Sequence, residues 1–272
     1  MRQINQLSRI LLKSALVLTL LPTATPAKIK AEDSIESPGT IAEQYFLAAA
    51  NNERANRGLK PLRSDPVLAK AAAFHAQQMA DRADISHGFD GEPDLASRAA
   101  TAGVRFSLIA ENVAEGPDSI LIHQMWMESE GHRENLLDPD VNVAGISVIV
   151  RDGQLYAVED FASIVEVLSI DQQESTVADL ITTSGITVAK TETDEADVKT
   201  ARETCTRSST GFTGPRRPWF IMHYTAASLN QLPAPLQTRL GSGKYHEAAV
   251  GACSSAGISP FTTYNIAVLL YP

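Results

Sequence analysis

Apolar residues recur at helical spacing through the first half of the chain and give way to strand-like runs after Asp138-Pro139. Thr40-Ile41-Ala42-Glu43 is a capping box, with Glu43 placed to return a hydrogen bond to the Thr40 amide, and it predicts a helix running to about Arg57. Gly58 follows as its left-handed stop. Ser64-Asp65-Pro66 opens a second helix, because a proline loses nothing in a first turn; Leu68, Ala72, His75 and Met79 mark its apolar stripe. Residues 94–102 read as a short third helix ended by Gly103, and Asp118 opens a fourth through Leu121, Met125 and Trp126. The β-prone runs 143–150 and 155–161 flank Asp152-Gly153, a strong hairpin signal. Helices followed by strands within one stretch imply an α/β arrangement with helices packed on a sheet.

The pattern then changes. Residues 166–203 are rich in Ser, Thr, Asp and Glu, hold few large apolar side chains, and read as an acidic polar linker with a weak strand at 181–188. Residues 204–272 read as a small separate α/β module, with strands at 219–225 and 261–270 and helices at 229–240 and 245–250 between them: a β-α-β unit. A unit of about 70 residues has a thin core. The chain's two cysteines, Cys205 and Cys253, both fall in this region and read as a disulfide in an oxidising compartment. A catalytic cysteine, with His223 or His246 as base, is the rival reading. No internal repeat survives counting along the chain.

The N-terminus supplies the compartment. Arg2, Arg9 and Lys13 precede an apolar core at 15–21, followed by Pro22 and small residues to Ala27. That order is a secretory signal peptide over 1–27, cleaved near Ala27, with a flexible lead-in at 28–40. The apolar core is far shorter than the ~20 residues that span a bilayer, so no stable membrane anchor is expected. The net charge of −9 disfavours phosphate backbones and gives nucleic-acid binding no electrostatic support.

Several motifs stand in one order. Asn52-Glu53-Arg54 precedes Gly58-Leu59 and Pro61-Leu62; then come Ser86-His87, Ala110-Glu111-Asn112-Val113-Ala114 and the run from Trp126 through Ser129, Gly131, His132, Arg133 and Asn135 to Leu137. Val143-Ala144-Gly145-Ile146 and Tyr156-Ala157-Val158-Glu159-Asp160-Phe161-Ala162 close the set. This pattern, over residues 41–165, resembles the CAP superfamily of cysteine-rich secretory, antigen 5 and pathogenesis-related 1 proteins, in its bacterial SCP-like branch. The resemblance implies an α-β-α sandwich with a solvent-facing cleft built on two histidines and two acids. Carried over residue by residue, the histidines fall on His87 and His132 and the first acid on Glu111. The place of the second acid is taken by Ser129, so the cleft set becomes His87, Glu111, Ser129 and His132, with Asn112, Arg133 and Asn135 supporting it from behind.

Three chemistries fit such a set. Two imidazoles and a carboxylate suit a divalent metal such as zinc, held through His87 and His132. They also suit acid–base catalysis, or a polar cluster that closes a loop or binds a ligand. No nucleophile elbow surrounds Ser129. The expected function is accordingly an exported binding or interaction module for an extracellular lipid, peptide or glycan, with a metal- or histidine-dependent endopeptidase as the alternative. His75 is expected as a satisfied core histidine, Trp126 as core, and His123 on a helix surface.

Overall fold

The computed structural model describes residues 39–190, 194–207, 211–212, 214–254 and 259–272. The expected signal peptide and most of the lead-in lie outside the described residues.

Helix α1 (Ile41–Ala55) starts at the capping box read from the sequence: the Thr40 hydroxyl accepts from the Glu43 amide while Glu43 Oε2 accepts from the Thr40 amide. A two-residue strand β1 (Arg63–Ser64) leads to α2 (Pro66–Arg82), whose N-cap Asp65 accepts from the Val67 and Leu68 amides. Then follow α3 (Leu95–Ala102), β2 (Phe106–Gly116), α4 (Ser119–Glu128), α5 (Glu130–Leu137), β3 (Val143–Arg151) and β4 (Gln154–Ile164). The hairpin turn between β3 and β4 is the Asp152-Gly153 pair, both at positive φ, as a two-residue turn requires.

The sheet order is β1-β3-β4-β2, with β1 parallel to β3 and the other pairs antiparallel. Helices α2 and α3 cover one face through Leu68, Ala71 and Ala99 against Phe106, Val143 and Ala162. On the opposite face α1, α4 and α5 bring Phe46, Ala50, Trp126 and Leu136 against Ala157 and Phe161. The result is the α-β-α sandwich expected for this half. Gly145 sets the spacing on the α2 side, since a Cβ there would sit 2.4 Å from the Ala69 amide nitrogen.

Residues 166–203 correct the expectation of a linker. They form α6 (Ile170–Thr182), β5 (Thr187–Val188) and α7 (Glu195–Cys205). The acidic residues that suggest a solvated tether occupy mostly the outer helix faces, while Val177 and Ile181 of α6 and Val198 and Ala201 of α7 are buried. The chain continues through β6 (Phe220–Ala226), α8 (Ala234–Leu240), β7 (Glu247–Cys253) and β8 (Tyr264–Tyr271). Residues 245–250, expected as helix, enter β7 because Ala248, Ala249 and Val250 are buried on both sheet faces, a position that favours strand over helix. Cys205 and Cys253 are joined, with Cα atoms 5.8 Å apart, and among the described residues no cysteine is free.

The second sheet has order β5-β7-β8-β6, again with a parallel first pair and antiparallel remaining pairs. Helix α7 lies on one face, against Ala249, Ala267 and Leu269. Helices α6 and α8 lie on the other, against Val250, Ile266 and Val268. Element for element, α6-β5-α7-β6-α8-β7-β8 repeats α1-β1-α2-β2-α4-β3-β4 in strand order, pairing sense and helix face. Gly251 even repeats the device of Gly145: a Cβ there would meet the backbone of Ala201 and Arg202 in α7. The module is also joined to the first rather than separate. Phe261 packs on Phe106 with ring centroids 5.2 Å apart, and the Thr262 amide donates to the Phe106 carbonyl at 2.7 Å.

Candidate functional site

Strand β2 was not legible in the sequence, and it carries the centre of the site. Glu111 points from β2 towards the α2 layer and is buried. Oε1 of Glu111 lies 3.0 Å from Nδ1 of His87, on the loop between α2 and α3. Oε2 is bound by Arg98 of α3, which is itself buried. His75 of α2 completes the surroundings: Nδ1 meets Glu92 Oε1 at 2.7 Å, and Nε2 meets the Ser86 carbonyl at 2.7 Å. His75 is thus the satisfied core histidine expected, and it also pins the backbone of Ser86, next to His87.

His132 lies in the first turn of α5. The helix run breaks at Ser129, whose extended backbone (φ −81°, ψ 125°) separates α4 from α5 and turns the axis. The Ser129 side chain makes no cap hydrogen bond. Asn112 Nδ2 on β2 donates to the His132 carbonyl at 3.0 Å. Asn135 Nδ2 donates to the Glu111 carbonyl at 3.2 Å and to Asn112 Oδ1 at 3.1 Å. Arg133 Nη1 donates to the Met127 carbonyl at 2.8 Å and ties α5 to the end of α4. The far end of α5 is held by Arg54, buried in α1, which donates to the carbonyls of Leu136 and Asp138 at 2.8 and 2.9 Å. Backbone carbonyls at a helix end lack intrahelical partners, so this guanidinium supplies them.

The structure brings His87 and His132 together with ring centroids 6.5 Å apart. Their protonation equilibria move in opposite directions. The hydrogen bond to Glu111 raises the His87 pKa, whereas burial, aided by the charge of His87, lowers that of His132. The two shifts favour protonation of His87 over that of His132.

Behind this pair lie acids that sequence reasoning did not single out. Asp160 stands directly opposite Glu111 on β4 and Glu159 directly opposite Asn112. Both are fully buried. Burial pushes the Glu159 pKa up to about 8. Burial and the charge of Glu111 push Asp160 well above the usual carboxylate range. The signal that would have found them is a Glu-Asp pair inside an otherwise apolar strand. His123, expected on a helix surface, is buried instead, edge-on to Tyr45 at 6.3 Å.

A zinc ion would need a third ligand beside the two imidazoles. Both oxygens of Glu111 are already engaged by His87 and Arg98, and among the described residues no cluster of three His, Cys, Asp or Glu is disposed to hold a metal ion. The side chains as they stand do not fit a zinc centre.

Comparison with known proteins gives the same order of motifs a family. Residues 47–163 match the model of the CAP family, described as the cysteine-rich secretory protein family. The uncharacterized protein YkwD of Bacillus subtilis (strain 168) is 30% identical over 129 residues, covering 46% of this chain and 49% of that protein. The uncharacterized membrane protein YlbC of the same organism is 31% identical over 113 residues, covering 40% of this chain and 32% of that protein. The chain thus spans about half or less of the length of these curated relatives. Among solved structures, an extracellular protein containing a SCP domain from Bacillus anthracis str. Ames is 30% identical, with a TM-score of 0.41 over 44% of this chain and 40% of that one. With the sandwich, the motif order and the family match in agreement, residues 47–163 form a CAP domain of the cysteine-rich secretory protein family.

Proposed function

We propose that this protein is exported and that its CAP domain is a binding module, recognising an extracellular ligand through His87, Glu111 and His132. One observation carries the reading: two imidazoles 6.5 Å apart whose protonation is pushed in opposite directions. His87 commits Nδ1 to Glu111 and, when protonated, keeps Nε2 as a donor. The neutral ring of His132 supplies an acceptor or a donor according to its tautomer. A hydroxyl or amide group, which both gives and takes a hydrogen bond, matches that pair, so glycans and peptides suit it better than the apolar part of a lipid. Export is supported by the basic, apolar and small-residue order of the N-terminus and by the disulfide.

The test is an imidazole-detected NMR titration with three separate probes: soluble cell-wall glycan fragments, short peptides and lipid micelles. One class is expected to move His87 and His132 together, and the double variant His87→Ala/His132→Ala to weaken its binding by about tenfold or more, the loss of one to two charge-assisted hydrogen bonds. Undiminished binding of every probe class by the double variant overturns the assignment.

A histidine-dependent endopeptidase is the second reading, favoured by the same opposed shifts, which would make His87 the acid and His132 the base. It requires purified protein to cleave peptides and His132→Ala to stop doing so while still folded. Absence of cleavage by the wild type sinks it.

A further inference from the structure

The repeated topology gives the second module a face equivalent to the one that holds Glu111. In β2, Glu111 points towards the helix that follows the parallel edge strand, and the loop after that helix delivers His87. In β6, His223 is on the face of α7, sharing it with Ile221, Ala267 and Gly251. The chain after α7 delivers Arg207. Between them is a cavity of about 670 Å³, walled by the Cys205–Cys253 disulfide and by Thr225 and Asn265.

The chemistry of this cavity differs from that of the first cleft. Nε2 of His223 is buried without a hydrogen-bond partner among the described residues, an arrangement that costs free energy unless something binds there. The Arg207 guanidinium, exposed at the rim, has no ion-pair or hydrogen-bond partner among them either. No carboxylate is among the described residues that line the cavity. Where Glu111 meets His87 in the first cleft, the second presents the unpartnered His223 Nε2 and the Arg207 guanidinium, with no carboxylate among the described lining residues. The overall charge of −9 does not cancel this, because charges beyond about 8 Å are largely screened at physiological salt. Burial holds the His223 pKa below its ordinary value and so favours the neutral ring, whereas a bound anion would favour the charged form.

We propose that the second module carries a ligand site of its own, in which His223 and Arg207 bind a small oxyanion or the carboxylate or phosphate group of a larger molecule. The neutral imidazole donates from Nε2, the guanidinium supplies a fork of donors, and Thr225 adds a hydroxyl at the wall. This site is independent of the His87 and His132 cleft and does not rest on the function proposed for it.

The probe is inorganic phosphate, added to the intact oxidised protein at constant ionic strength and followed by NMR on all six histidine rings. The His223 resonances are expected to move saturably and its titration midpoint to rise with phosphate concentration, while His87 and His132 stay in place. Arg207→Gln, at an exposed position that leaves the core intact, should weaken the response about tenfold, as loss of a charge-assisted hydrogen bond does. Sulfate and acetate in place of phosphate separate a general oxyanion site from one that needs a phosphate. A response of His223 that is absent, non-saturable or the same in Arg207→Gln overturns the proposal, as does one confined to His87 and His132.

Discussion

Glu111 holds the Nδ1 of His87 at 3.0 Å across the gap between a sheet strand and a surface loop, so a side chain that is 61% exposed is oriented by one that is almost wholly buried. The carboxylate is the main reason that the His87 pKa is raised. Glu111→Gln keeps the shape and removes the charge. In that variant the His87 pKa should fall towards its ordinary value, followed through the ring resonances in a pH titration. The stability linked to His87 has a fixed sign. It is fully present below the ordinary histidine pKa and is lost as pH rises through the raised folded value. An unchanged His87 titration in Glu111→Gln would show that the hydrogen bond does not hold the ring.

Arg98 is the cation of the buried network, with Nη2 on Glu111 Oε2 and Nη1 3.6 Å from Glu92 Oε1. Arg98→Met matches its length without its charge and leaves Glu111 and Glu92 facing each other with one partner fewer. Breaking a buried ion pair from one side costs about 3–5 kcal/mol. Chemical denaturation at neutral pH should show that loss. A loss below about 1 kcal/mol would mean that the network is held by other groups.

The helices of the first module are legible in the sequence because their caps and stripes are local: Thr40 with Glu43, and Asp65 before Pro66, each act within one turn. Strand β2 is not legible, because its Glu111, Asn112 and Glu115 break the apolar alternation, and what permits Glu111 in the interior is Arg98 from a different element. The supposed linker at 166–203 is misread for a similar physical cause. A helix such as α7, whose mean composition is polar, needs only Val198, Ala201 and Thr204 to face the sheet. His87, Glu111 and His132 come from the family resemblance; their 24- and 45-residue separations along the chain from His87 hold no local signal. The repeated fold is invisible to residue counting because the two copies share topology and the glycine–helix approach, not side chains.

Gly145 and Gly251 allow a direct check of that repetition. Each sits where an added Cβ would fall 2.4 Å or closer to the backbone of the covering helix, α2 or α7. Overpacking of this kind typically costs about 1–3 kcal/mol, and backbone atoms yield less readily than side-chain ends. Gly145→Ala and Gly251→Ala should each destabilise the protein by that amount or more. Gly131→Ala, at an exposed helical position with nothing within 4 Å, should be neutral or slightly stabilising. Comparison of the three melting transitions is sufficient, and a neutral Gly251→Ala would mean that α7 does not seat on its sheet as α2 does.

Glu159 gives the protein a pH dependence of its own. The side chain faces Asn112 from the middle of β4, fully buried, with a pKa raised by burial to about 8. In the unfolded chain the same group titrates near its ordinary value of 4.5. Between those two values the folded state holds a proton that the unfolded state has released, so stability falls as pH rises, by about 1.4 kcal/mol per unit for a single group. Below pH 4.5 the term vanishes, since both states are protonated. Glu159→Gln replaces the protonated acid with a neutral group of the same size and removes the term. At pH 7 the variant should be more stable than the wild type by on the order of 3 kcal/mol, with the advantage declining towards pH 4.5. Asp160, on the other face of the sheet, is untouched by the change and contributes its own dependence equally to both proteins. Denaturant unfolding of the two proteins from pH 4.5 to pH 8 measures the difference directly. Parallel stability curves across that range would show that Glu159 is ionised and compensated in the folded protein.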